Sequence, residues 1–277
     1  HSAQKNGVKV FVGLNFNDRW WKFDYDADWL FGQMEIGNRV ADEIVALYKE
    51  KYPDAMYGWY WVWEVDNLNC MTEERQSILA NALNINLDHL SKITPEMPFM
   101  MSPFMNYKVG GNAEEYGRMW ENVFAQTHFR LGDIFAPQDC IGAGGLNLDN
   151  LWEWFSKLKQ AVNTKPGLKF WGNVETFDQR FWTTAPLERV KKQLEIVNGY
   201  VGNIICFAYS HYNSPFVVNE DYHKVYLEYS KSGQLPKMAV PEKVTNANVQ
   251  KLDEGVKIKW VSDNLKRIAG YSIYRDG

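Results

Sequence analysis

The chain is 277 residues long, 45% hydrophobic and 23% charged, which suits one large globular domain with a small appendage. Its formal net charge is -4, and the acidic excess lies in the first 235 residues, so nucleic acid and anionic membranes are unfavourable partners. Cys70, Cys140 and Cys206 show no CxxC spacing, and no run of about 18 apolar residues occurs, which argues against a disulfide framework, a cysteine-rich zinc site and a transmembrane segment.

Six strand-like runs alternate with helix-like runs. Val8 to Leu14 is the first strand, followed by a loop carrying Asn15, Arg19, Trp20 and Trp21. A helix is expected from about Asp28 to Lys51, where Val40, Ile44, Leu47 and Tyr48 fit a 3.6-residue period. Met56 to Val65 is the second strand, a run of large β-formers with Trp59, Trp61 and Trp63, and it emerges at Glu64, Asp66 and Asn67. The next helix runs from about Thr72 to Ile93, with Glu73 and Glu74 in its favourable first turn. Phe99 to Phe104 is the third strand, and Asn112 to Phe129 is a helix opened by a capping box between Asn112 and Glu115. Asp133 to Pro137 is the fourth strand, emerging at Gln138 and Asp139. The loop Gly142 to Gly145 leads to a helix from Leu148 to Val162. Leu168 to Val174 is the fifth strand, ending at Glu175, and Pro186 opens a helix to about Val197. The sixth strand, Asn203 to Tyr209, emerges at His211 and Tyr212, and a helix from Tyr222 to Lys231 follows.

Strict alternation implies a parallel sheet with right-handed crossovers. The first strand lacks a GxGxxG sequence, and Gly142 to Gly145 lacks the Lys-Ser/Thr of a phosphate loop. An α/β fold of the (β/α)₈ TIM-barrel type is therefore preferred to a doubly wound sheet. Six strands correspond to strands three to eight, so residues 1–235 are expected to form a barrel lacking its first two βα units. After Gly233 the pattern changes. Val244 to Val249, Val256 to Val261 and Ala269 to Tyr274 are short alternating strands, so residues 236–277 read as the truncated front of a β-sandwich.

Side chains alternate along a strand. With Glu64 facing the barrel mouth, Tyr60, Val62 and Asp66 share its side. The three strand tryptophans then face the helices as core residues. The same rule aligns Trp171 and Asn173 with Glu175. Glycosidic cleavage needs a proton donor for the leaving oxygen and a carboxylate serving as nucleophile or base. Glu64 and Glu175, at two strand exits, fit that need by type and position. Asp66, Asn15, Arg19, Trp20, Gln138, Asp139, Trp171, Asn173, Tyr209, His211 and Tyr212 are candidate substrate contacts on the same rim. Trp21 and Trp182 join Trp20 and Tyr212 as candidate aromatic platforms for sugar faces. No HxH or HExxH occurs, so neither a metal nor a cofactor is expected. Gly-x-Ser-x-Gly is absent too, which disfavours serine hydrolysis.

The set Gly58-Trp-Tyr…Glu64-Val-Asp66-Asn67, Ser102-Pro103-Phe104, Ala136-Pro-Gln-Asp139-x-x-Gly142 and Trp171-x-Asn173-Val-Glu175-x-Phe177 resembles an uncharacterised family of glycoside-hydrolase-like TIM barrels over about residues 1–230. That family comes from polysaccharide-degrading bacteria and often carries a C-terminal β-sandwich, and the tail here resembles the start of a fibronectin type III-like module. The resemblance implies a carbohydrate substrate and an extracytoplasmic location, periplasmic, surface-attached or secreted, although no signal peptide is visible. With the first visible strand counted as barrel strand three, Glu64 and Glu175 close strands four and seven, where retaining barrel glycosidases carry acid/base and nucleophile. The sequence departs from those enzymes at Trp63, where they carry Asn before the acid/base Glu. Asp66 and Asp139 therefore remain alternatives for either role. A non-catalytic carbohydrate-binding barrel is the rival reading.

Overall fold

The computed structural model describes all residues except 23, 219, 236–243, 263–270, 272 and 274–277. They fall into two compact units, His1–Glu175 with Lys192–Phe207, and Thr176–Lys191 with Ala208–Gly277.

In the first unit a short helix α1 (Ser2–Lys5) precedes strand β1 (Val10–Gly13). Helix α2 (Ala27–Ile44) starts at Asp26, whose side chain accepts the N–H of Trp29, and it continues as a π-helical turn over Val45–Lys49. Strand β2 (Met56–Trp61) leads to α3 (Glu73–Ile93), capped by Thr72 with Glu73 and Glu74 in the first turn. Strand β3 (Phe99–Met101) leads to α4 (Ala113–Gln126), and the Asn112–Glu115 capping box is fully formed. Strand β4 (Ile134–Phe135), α5 (Leu151–Asn163) and β5 (Lys169–Glu175) follow.

A small antiparallel hairpin, β6 (Phe177–Asp178) with β7 (Thr183–Thr184), has no counterpart in the sequence reading. Helix α6 (Leu187–Asn198) then leads to β8 (Asn203–Phe207). Strand β8 stops two residues short of the expected end. Tyr209, His211 and Tyr212 lie instead on a one-turn helix, α7 (Tyr209–Tyr212), and α8 (Glu220–Ser232) follows. In the tail, β9 (Thr245–Leu252) and β10 (Gly255–Val261) form an antiparallel hairpin. Most of the third expected strand, Ala269 to Tyr274, lies outside the described residues.

Six parallel strands pair in the order β1-β2-β3-β4-β5-β8. The sheet curls. Phe11 on β1 and Trp171 on β5 stand four strands apart, about 19 Å in a flat sheet. Their rings are 6.3 Å apart. Phe11 also lies over its β2 partner Gly58, where an added Cβ would come within 2.4 Å of the Phe11 ring. The inner face is filled by Phe11, Tyr60, Met100, Ile134, Ala136, Trp171 and Ile205, one or two from every strand. The larger core lies between the outer face and the helices. There Trp59, Trp61 and Trp63 are fully buried, as strand alternation requires. The indoles of Trp59 and Trp61 donate to Thr94 Oγ1 at 2.9 Å and Asn86 Oδ1 at 3.2 Å. Among the described residues the curled sheet is open, a half-barrel with β1 and β8 as its edges. Cys70 and Cys140 are buried, and Cys206 on edge strand β8 is exposed.

Candidate functional site

The exits of β2, β3, β4 and β5 bring four polar segments of the first unit together. Beyond β2 the in-and-out alternation persists: Trp63, Val65 and Asn67 are buried, whereas Glu64 and Asp66 are half-buried on the opposite side. Trp63 stands in a box of aromatic rings, 5.2 Å from Phe16, 5.5 Å from Trp20 and 5.9 Å from Trp29. The Trp20 indole N–H donates to the Glu64 carbonyl at 2.8 Å. Core packing therefore fixes the backbone that presents Glu64.

The Glu64 carboxylate accepts the Gln138 side-chain N–H at 2.7 Å. The same Gln138 nitrogen donates to the Ser102 carbonyl at 3.1 Å. Burial pushes the Glu64 carboxyl above the usual glutamate value, and the Gln138 hydrogen bond opposes that rise. Tyr60, two residues back on the same side, is pushed up to about 12 by burial and by the Glu64 charge. Ser102 donates to the Ala136 carbonyl at 2.6 Å and accepts from Asn173 at 3.2 Å.

Glu175, at the end of β5, is only 2% exposed. The backbone N–H of Ala143, in the Gly-rich loop, donates to its carboxylate at 2.7 Å. Asp139 is fully buried. Its Oδ1 accepts the N–H groups of Glu175 at 3.1 Å and Ile141 at 3.3 Å, and its Oδ2 accepts from Gln193 at 2.6 Å. Gln193 also donates to the Glu175 carbonyl at 3.0 Å. The dipeptide Gln138-Asp139 thus joins the two glutamates, one through its amide side chain and the other through its carboxylate. The next residue, Cys140, holds a left-handed backbone (φ 54°), and its buried thiol is pushed up by burial, then by the charges of Glu175, Asp139 and Glu64.

A cavity of about 300 Å³ opens beside Glu64 and is lined by Trp20, Trp21, Lys22, Tyr25, Glu64, Asp66 and Asn69. Asp66 lines it with a carboxylate engaged by the N–H groups of Leu68 at 2.9 Å and Asn69 at 2.6 Å. Arg19 is ion-paired to Asp26 at 2.9 Å and lies 4.7 Å over the Trp29 ring. Asn15 donates to Gln33 at 3.3 Å. Trp171 belongs to the inner layer of the sheet and Asn173 to the Ser102 network. Tyr209, His211 and Tyr212 belong to the second unit, where Tyr212 stacks on Phe177 at 5.2 Å.

Sequence reasoning missed Ala143, whose contribution is a backbone N–H that no side chain announces. It also missed Gln193. There a signal existed, because Gln193 interrupts the apolar stripe Val190, Leu194, Val197 and is fully buried. Among the described residues no group of three or more His, Cys, Asp or Glu could hold a metal ion, and no helix is long and apolar enough to cross a membrane.

A curled parallel βα sheet with its polar residues gathered at the strand exits is a half-barrel of the TIM-barrel type. The chain belongs to the domain-of-unknown-function family DUF4434, whose model matches residues 1–218. Two solved structures share the fold. One is described as a "putative alpha-L-fucosidase" from Bacteroides thetaiotaomicron VPI-5482, 22% identical, with a TM-score of 0.70 over 84% of this chain and 70% of that one. The other is a GH18 chitinase from Pseudoalteromonas aurantia, 14% identical, with a TM-score of 0.50 over 81% of this chain and 77% of that one. No curated protein matches the chain.

Proposed function

We propose that the chain is a glycoside hydrolase acting on a poly- or oligosaccharide through paired carboxylates, with Glu64 as general acid/base and Glu175 as nucleophile. The observation that carries this reading is the Glu64 environment. Its carboxyl is half-buried, held above the usual range by burial, and lines a cavity of about 300 Å³. A proton donor for a leaving glycosidic oxygen needs that property. The Ala143 N–H gives Glu175 a donor for negative charge. Asp139 serves in this reading as a positioning residue, because its carboxylate is occupied by Glu175, Ile141 and Gln193. Asp66, Trp20 and Gln138 line or brace the pocket, with Asn15, Arg19, Trp171, Asn173, Tyr209, His211 and Tyr212 as further contact candidates.

The six parallel strands are taken as strands three to eight of an eight-stranded barrel, and residues 236–277 as the start of a fibronectin type III-like module. Action on glycans outside the cytoplasm follows from the same reading.

A second reading, a carbohydrate-binding barrel without hydrolysis, is favoured by the 2% exposure of Glu175, which leaves little surface for attack on a sugar. The two separate in one experiment. Wild type, Glu64→Gln and Glu175→Gln are assayed for hydrolysis and for binding on one glycan panel. The first reading expects losses of about 10²–10⁴-fold in turnover for Glu64→Gln and retained binding in both variants. A wild type that binds glycans and cleaves none establishes the second.

A further inference from the structure

The second unit presents an aromatic surface on the β6–β7 hairpin. The hairpin loop is Gln179-Arg180-Phe181-Trp182. Phe177 is buried, and the Trp182 ring stacks on it with an interplanar angle of 4° and a centroid distance of 5.9 Å. The Tyr212 ring stacks on the same Phe177 at 5.2 Å. Trp182 nevertheless remains 66% exposed and its neighbour Phe181 62% exposed. Its backbone sits at φ 49°, a left-handed conformation that a bulky aromatic residue rarely adopts. Strain of that kind persists where the surroundings enforce it, and it concentrates at ligand sites.

Those surroundings are polar. Asp178 accepts from the Arg180 backbone at 3.1 Å and from its guanidinium at 3.0 and 2.6 Å. Arg189 donates to the Phe177 carbonyl, and Thr184 donates to the Tyr212 carbonyl at 2.7 Å. The Arg180 guanidinium, paired to Asp178, is exposed and lies 5.4 Å over the Phe181 ring.

We propose that Trp182, flanked by Phe181 and Arg180, is a stacking platform for a pyranose of an oligosaccharide chain. A flat, exposed indole, with the Asp178-held Arg180 guanidinium on the same loop, matches a pyranose, which has an apolar face and a rim of hydroxyls. A protein partner is disfavoured, because a stable interface buries on the order of 1,200 Å² or more, well beyond two side chains. Asp178 is shared by the guanidiniums of Arg180 at 2.6 Å and Arg189 at 4.0 Å. This inference rests on the carbohydrate reading of the chain, and it adds a second glycan contact carried wholly by the second unit.

The test uses the full chain with Glu175→Gln as parent, so that no ligand is consumed. Cellohexaose, xylohexaose, mannohexaose and chitohexaose are titrated by calorimetry into the parent and into versions that also carry Trp182→Ala, Trp182→Gly or Trp182→Tyr. Glycine relieves the left-handed strain while removing the ring, so its melting temperature is expected at or above that of the parent. Trp182→Ala and Trp182→Gly are expected to weaken binding of at least one hexasaccharide by about tenfold or more, and Trp182→Tyr to keep it within about threefold. A Trp182→Gly protein that is folded and binds like the parent overturns the proposal, as does a parent that binds none of the four. Hydrolysis by Glu175→Gln itself is assayed separately, so failure of the catalytic reading is distinguishable from failure of the platform.

Discussion

Gln138 reaches across 74 residues of sequence to place its amide nitrogen 2.7 Å from the Glu64 carboxylate. The donor favours the charged form of Glu64, whereas burial favours the neutral form, and burial is the larger effect. Removing the donor in Gln138→Ala should therefore raise the Glu64 pKa further. A proton donor would then stay protonated to higher pH, and the alkaline limb of the pH–activity profile should move upward. An unmoved or downward-moving limb argues against Glu64 as the acid.

Glu64 also makes stability depend on pH. Its folded pKa lies above the ordinary glutamate value of 4.5. Below that value both states are protonated and burial of the side chain carries no charge penalty. As pH rises past it, the unfolded state ionises first and the folded state loses relative stability. Glu64→Gln removes the ionisation and can keep the Gln138 contact. The variant should match wild type near pH 4 and exceed it in melting temperature at neutral pH. A constant difference across the range would mean that the burial of Glu64 has no charge cost.

Asp139 satisfies three donors with a carboxylate that sees no solvent. Asp139→Asn turns one acceptor oxygen into an N–H donor facing another donor. A cost of about 1–3 kcal/mol is expected from one unsatisfied buried group, read as a lower urea midpoint. Because Glu175 hangs on this network through its N–H and C=O, turnover should fall as well. An unchanged midpoint would show that the network relaxes freely.

Trp61 and Trp21 separate core from rim. Trp61 is fully buried and bonded to Asn86, whereas Trp21 is 57% exposed and lines the cavity. Trp61→Ala should cost about 3–5 kcal/mol. Trp21→Ala should stay within about 0.5 kcal/mol and alter ligand affinity instead. Equal destabilisation by the two would undo the division.

The second strand was legible in sequence because its alternation is mechanical. Once Glu64 faces inward, Trp61 and Trp63 must face the helices, and they do. The roles of Gln138 and Asp139 were not legible. Both are polar residues after a strand, and only the curl of the sheet decides that one reaches Glu64 while the other meets backbone donors. The Phe177–Thr184 hairpin went unread because each strand is only two residues long. His211 and Tyr212 were displaced from a strand end to a helical turn for a similar reason, since Tyr209 to Tyr212 reads equally as continuation or turn.

The bond from the Trp20 indole to the Glu64 carbonyl joins pocket wall to strand. Trp20 also packs on Trp63, so a substitution there disturbs the wall, the aromatic box and the carboxylate at once. Trp21, Lys22 and Asn69 line the same cavity from exposed positions. Divergence in ligand preference among relatives should therefore accumulate at those three positions, while Trp20 changes only together with its partners in the box.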